Sequence, residues 1–81
     1  MKLSEVTATR ELVGRKVKAN VKFPGVPVGT TGEIKSYFEN DRGREEIRVE
    51  WEPTSPNRAP LVDWFSRDDI HNEFELLELV V

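Results

Sequence analysis

Apolar and polar residues alternate with a period of two through most of this chain. In "KVKANVKF", residues 16–23, Val17, Ala19, Val21 and Phe23 fall on one face and Lys16, Lys18, Asn20 and Lys22 on the other. A period of two carried by β-branched residues predicts a half-buried strand. "GEIKSYFE", residues 32–39, alternates less strictly: Ile34, Ser36 and Phe38 are in phase, and Tyr37 shares the opposite, outward face with Lys35. "REEIRVEWE", residues 44–52, sets Ile47, Val49 and Trp51 against Glu46, Arg48, Glu50 and Glu52. The intervening "NDRG", residues 40–43, is a cluster of turn formers, so strand, turn and strand predict a hairpin over 32–52.

The second half continues the pattern. "PTSPNRAP", residues 53–60, holds three prolines and cannot sit in a sheet interior. "LVDWFS", residues 61–66, predicts a fourth strand, with Val62 and Trp64 on one face and Asp63 and Phe65 on the other. The all-apolar pair is expected to point inward, which leaves Phe65 at least partly exposed. "SRDDI" offers Ser66 as a helix N-cap with acidic residues in the turn behind it, and a segment ending near Asn72 suits a single helical turn. "FELLELVV", residues 74–81, predicts the last strand. Residues 1–13 read as an N-terminal arm, either extended or a short helix capped by Ser4, ahead of a domain over 14–81. Five short strands with one helical turn before the last predict an all-β fold, a small barrel.

The stretch "FPGVPVGTTGEI", residues 23–34, concentrates three glycines and two prolines. A phosphate-cradling loop of the Walker type needs a lysine after its last glycine and a helix behind it; here Gly32 is followed by Glu33 and a strand. The G-x-x-G spacing at 29–32 also occurs in a nucleotide-clamping loop of one RNA-binding fold, but that loop is basic and lies between helices. A turn accounts for each residue. Pro24 and Pro27 end the first ladder. Gly25, Gly29 and Gly32 permit positive φ or close backbone approach, with positive φ expected at Gly32. Thr30 and Thr31 are able to bond the backbone locally.

Gly25-x-x-x-Gly29-x-x-Gly32-x-Ile34, preceded by Val21 and Phe23, resembles the KOW motif over residues 17–38. That motif marks SH3-like barrels in ribosomal proteins and in transcription elongation factors of the NusG type. The layout with a helical turn before the last strand is similar to SH3-like barrels in general. "VPVGTTGEI", "VEW" and "DWFSRDDI" together resemble small bacterial proteins of unassigned function. The resemblance implies a five-stranded SH3-like barrel. KOW loops that bind nucleic acid commonly carry basic residues, and this loop has none.

Composition narrows the chemistry. At 81 residues, with 37% hydrophobic and 33% charged, the chain lies in the globular range. A domain of this size buries only about 60–65% of its unfolded surface and has little room for a deep cleft. The absence of cysteine excludes disulfides, thiolate metal sites and cysteine nucleophiles. No apolar run has the length of a signal peptide or a membrane span, so a cytoplasmic protein without a membrane partner is expected. The net charge is −3, but residues 1–35 carry seven Lys/Arg against three Glu, and residues 36–81 five Arg against twelve Asp/Glu. Such asymmetry gives one basic and one acidic face unless the barrel interleaves the two halves.

Candidate sites are few. Ser66, His71 and Asp63 have the residue types of a hydrolase triad, but no nucleophile elbow surrounds Ser66 and a helix cap explains it. Asp68, Asp69, His71 and Glu73 lack the spacing of an EF-hand or a zinc site and read as a solvated turn. No catalytic residue, cofactor or metal is expected. Trp51, in phase with Ile47 and Val49, belongs to the core. Tyr37 and Phe65 are the candidate partner-binding aromatics. Arg15, Lys16, Lys18 and Lys22 line one strand face as candidate phosphate contacts, although lysines also guard strand edges. The expected function is a non-catalytic protein-interaction module whose partner is another protein. The alternative is a KOW-type domain associated with nucleic acid or ribonucleoprotein through the lysine row. The oligomeric state is left open.

Overall fold

The computed structural model describes residues 9–53, 57, 59–70 and 76–80. A 3₁₀ turn over Thr9–Leu12 precedes β1 (Lys16–Ala19), β2 (Thr31–Glu39), β3 (Glu45–Trp51), β4 (Val62–Ser66), the short helix α1 (Arg67–Ile70) and β5 (Leu77–Leu79). The five strands form one antiparallel sheet in the order β4-β3-β2-β1-β5. The sheet curls into a half-barrel that stays open, with β4 and β5 as its two edges. Among the described residues no helix is long and apolar enough to cross a membrane.

The core follows the predicted alternation through β1 and β3. Val17, Ala19, Ile47, Val49 and Trp51 are buried, and so is Ile34 of β2. Each fully buried aliphatic side chain of this kind stabilises the fold by about 1.5–3 kcal/mol. Leu12, 1% exposed, joins the same core from the 3₁₀ turn, so the described end of the 1–13 segment packs against the sheet. It is held there by Gly14 N–H donating to Ile34 O at 2.8 Å and Arg15 N–H donating to Leu12 O at 2.9 Å. The β2–β3 hairpin turns where "NDRG" predicts. Asn40 Oδ1 accepts from the N–H groups of Arg42 and Arg44, both at 2.9 Å, and Gly43 takes φ 77°.

The predicted cap at Ser66 is reciprocal. Asp69 N–H donates to Ser66 Oγ at 3.2 Å, and Ser66 N–H donates to Asp69 Oδ2 at 2.9 Å. This capping box satisfies two donors that the helix start leaves without intrahelical partners. β1 and β5 are shorter than their alternation suggests. β1 ends at Ala19, and Phe23 and Val26 bridge each other around Pro24 and Gly25 instead of extending the ladder. Of the strand expected over 74–81, residues 77–79 are strand, and 74, 75 and 81 lie outside the described residues.

Three features differ from the sequence reading. In β2 the register slips between Ile34 and Ser36, so that Ile34 faces Val49 but Tyr37, not Ser36, faces Ile47. The extra residue is a β-bulge, and it inverts the inward–outward phase of everything after it. Tyr37 therefore packs against the core, and Phe38 is 54% exposed. In β4 the polarity is reversed: Phe65 is 5% exposed opposite Ile47, and Trp64 is 53% exposed opposite Arg48. The inward phase is tolerated because Asp63, which shares it, accepts a hydrogen bond from Trp51 Nε1–H at 2.7 Å. Finally, positive φ occurs at Gly25 (75°) and Gly29 (90°), not at Gly32. Gly32 is buried opposite Trp51, where a Cβ would lie 2.8 Å from Glu50 O and 2.9 Å from Trp51 Cε3. Its requirement is close approach, the other role a glycine can serve in a strand.

Candidate functional site

The basic row does not form a continuous cationic surface. Arg15, Lys16 and Lys22 are exposed, but Lys22 lies beyond the end of β1. Lys18 Nζ sits 2.8 Å from Glu78 Oε1 on the neighbouring β5. Lys16 faces Glu33 across the β1–β2 ladder, and Glu33 Oε2 lies 3.0 Å from Lys35 Nζ. Carboxylates from both flanking strands thus interleave with the lysines. The bond from Lys18, and then its charge, hold the Glu78 carboxyl below its ordinary value.

The two candidate aromatics flank Ile47 on the core side of the sheet, Tyr37 from β2 and Phe65 from β4, and do not form an exposed patch. Tyr37 is half-buried on the core side, and its hydroxyl donates to Glu39 Oε2 at 3.1 Å. Burial first, and then this bond to a carboxylate, push its phenol up from the ordinary value. Phe65 belongs to an aromatic cluster. It meets Phe23 edge-on (5.4 Å between centroids, 72° between planes) and Trp51 edge-on (6.5 Å, 85°), while Phe23 stacks on Trp51 (5.9 Å, 29°). Offset and T-shaped pairs of this kind add to what area burial alone provides.

Phe23 and Phe65 also form one wall of an open concavity of about 270 Å³, completed among the described residues by Asp63, Trp64, Asp69 and Leu76. Its lining comes from β4, from α1 and from the residue before β5, so it occupies the gap between the two edges of the sheet. Asp63 Oδ2 accepts from Trp51 and Asp69 Oδ2 from Ser66 N–H. No ion pair forms on either carboxylate among the described residues.

The backbone of β4 is open on the same side. Trp51 N–H donates to Leu61 O at 2.8 Å, which sets the phase of the β3–β4 ladder. In an antiparallel pair hydrogen-bonded and non-bonded positions alternate, so residues 61, 63 and 65 bond to β3 and residues 62, 64 and 66 turn their peptide groups outward. Ser66 N–H is taken by the Asp69 carboxylate. The peptide groups of Val62 and Trp64 have no partner among the described residues. Their side chains are exposed as well, at 44% and 53%.

The hydrolase and metal readings gain nothing from the geometry. Ser66 is engaged in the cap and Asp63 with Trp51, and His71 and Glu73 lie outside the described residues. No group of three or more metal-ligating side chains gathers among the described residues. The open edge at Val62 and Trp64 was not singled out from the sequence. One signal for it existed: β4 ends the meander β2–β3–β4, and such a strand has a free side unless the last strand returns to it. No protein-family model, curated protein or solved structure matches the chain.

Proposed function

We propose that this chain is a non-catalytic protein-interaction module of the cytoplasm, built as an SH3-like barrel left open between β4 and β5. An all-antiparallel order β4-β3-β2-β1-β5 with a helical turn leading into the last strand is compatible with that fold. The observation that carries the functional reading is the pair of exposed apolar side chains that share the outer face of β4, Val62 and Trp64. Contiguous exposed apolar surface on a small domain marks a contact site, and tryptophan is among the residues most enriched in protein interfaces.

The alternative, a KOW-type nucleic-acid-associated domain, rests on the lysine row. The Lys18–Glu78 pair and the Glu33 carboxylate facing Lys16 weigh against it, because phosphates brought to β1 meet those carboxylates as well. Affinity capture with the tagged chain, followed by mass spectrometry with and without nuclease, tests the two readings together. A nuclease-resistant complex of defined stoichiometry supports the module. Recovery of nucleic acid alone, lost after nuclease, supports the alternative.

A further inference from the structure

We propose that the open side of β4 is a docking edge for an extended, basic peptide segment, which adds as a sixth strand and places a lysine or arginine in the acidic aromatic concavity beside it. This rests on the protein-interaction reading above and names the surface and the chemistry of the partner.

Two independent observations meet at this edge. The first is the backbone. Val62 and Trp64 present N–H and C=O groups, on the side away from β3, that have no partner among the described residues. A strand edge left in this state is a template for another chain, and natural edges are usually blunted by lysine, proline or a bulge. β4 has no lysine, proline or bulge along "VDWFS"; its one such device is the inward carboxylate of Asp63, which a basic partner would neutralise. The second is the concavity. Asp63 and Asp69 line it together with Trp64 and the core-side aromatics Phe23 and Phe65, and neither carboxylate has a cation among the described residues. Carboxylates beside aromatic faces suit a guanidinium or ammonium group, which gains from both charge and ring quadrupole. Alternation along the added strand then assigns the rest of the partner. One side chain reaches Asp63 and Asp69; its neighbours lie on the outer face against Val62 and Trp64 and are best apolar.

The same geometry disfavours a second copy as the occupant. Antiparallel pairing of two β4 edges, with Val62 of each opposite Trp64 of the other, sets the two Asp63 side chains across from one another without a counterion. Pairing β4 with the free edge of a second β5 brings "LEL", which holds no cation.

The test uses amide hydrogen exchange of the full chain with three probes. These are acetyl-Lys-Val-Lys-Val-Lys-amide, its glutamate counterpart, and the lysine peptide N-methylated on alternate residues. The expected result is saturable slowing of exchange at the Val62 and Trp64 amides by the lysine peptide. The glutamate and N-methylated peptides should bind at least about tenfold more weakly, since one removes the charge match and the other the ladder. Asp63→Asn keeps an acceptor for Trp51 and should weaken the lysine peptide several-fold, while lowering the melting temperature less than Asp63→Ala does. Equal binding of the two charge types, no protection at Val62 and Trp64, or protection that grows with protein concentration in the absence of peptide would each overturn the proposal. Failure here is separable from failure of the module reading. A nuclease-resistant partner captured equally by wild type and Val62→Pro leaves the module standing and removes only the β4 edge.

Discussion

The indole Nε1–H of Trp51 donates to the Asp63 carboxylate at 2.7 Å, across the β3–β4 pair. Trp51 is 1% exposed, so this donor has no route to water. Asp63→Ala should destabilise the fold by about 1–3 kcal/mol, the cost of leaving a buried polar group without its partner. Asp63→Asn should cost less. A double-mutant cycle in urea with Trp51→Phe should show that the Asp63→Ala loss shrinks once the donor is gone. Independent, additive losses would mean that the bond contributes nothing.

The same pair explains why β4 faces the opposite way from its sequence pattern. In "VDWF" alternation offers two choices: Val62 with Trp64 inward, or Asp63 with Phe65 inward. Hydrophobicity alone selects the first, because it leaves no carboxylate on the core side. The second is selected by a donor on another strand, and a cross-strand partner is invisible to a pattern counted along one segment. The β2 inversion at Tyr37 and Phe38 has a similar origin: a one-residue bulge leaves little trace in composition yet reverses every later side chain. The strands, the hairpin turn and the Ser66 cap depend on neighbours within a few residues, and these were legible. The candidate edge was not, because openness is a property of strand order and not of any one strand.

The orientation of the two tryptophans can be read from their emission. Trp51 is buried and Trp64 is 53% exposed. Trp64→Phe should leave a blue-shifted emission that acrylamide quenches poorly. Trp51→Phe, if it folds by circular dichroism, should leave a red-shifted and readily quenched one. The reverse assignment would place Trp64 in the core.

Gly32→Ala should destabilise the fold by about 1–3 kcal/mol, the usual cost of forcing an extra carbon into a packed site. The added Cβ meets the backbone carbonyl of Glu50 at 2.8 Å, and a carbonyl in a ladder cannot swing aside. Gly43→Ala is the comparison: its Cβ has no neighbour nearer than 4.0 Å, and its cost is the φ of 77° alone. Supplying a residue tolerant of left-handed backbone, Gly43→Asn, should restore much of the loss there, whereas Gly32→Asn should be worse than Gly32→Ala. Equal thermal midpoints for Gly32→Ala and wild type would sink the close-approach argument.

Tyr37 gives the fold an alkaline limb. Its phenol is pushed up in the folded protein by burial and by Glu39, so the folded state holds this proton more tightly than the unfolded chain. The associated stability is fully present below the ordinary phenol value near 10 and is lost as pH rises through the higher folded value. Melting temperatures between pH 8 and pH 11 should fall in the wild type, and less steeply in Tyr37→Phe. Parallel curves for the two proteins would remove Tyr37 as the cause.

Glu78 gives the opposite limb and bears on the basic row. Its carboxyl is held below the ordinary value by the bond from Lys18, so the stability it contributes is present above that value and lost as pH falls through the lower folded one. The group is exposed, so the effect should be small and weakened by salt. Glu78→Gln should flatten the acid limb slightly. It should also free Lys18, and that makes it the sharpest test of the nucleic-acid reading. Three lysines contacting phosphates would give a log–log salt slope of roughly −2 to −3. With Glu78 and Glu33 interleaved, repulsion is expected to win, and the wild type should bind mixed-sequence RNA or DNA no more tightly than about 10⁻⁴ M near physiological salt. Glu78→Gln should raise that affinity only modestly, because Glu33 still faces Lys16. A micromolar wild-type complex that weakens steeply with salt, and is lost when Lys16, Lys18 and Lys22 become glutamine, would move the function from the β4 edge to the β1 face.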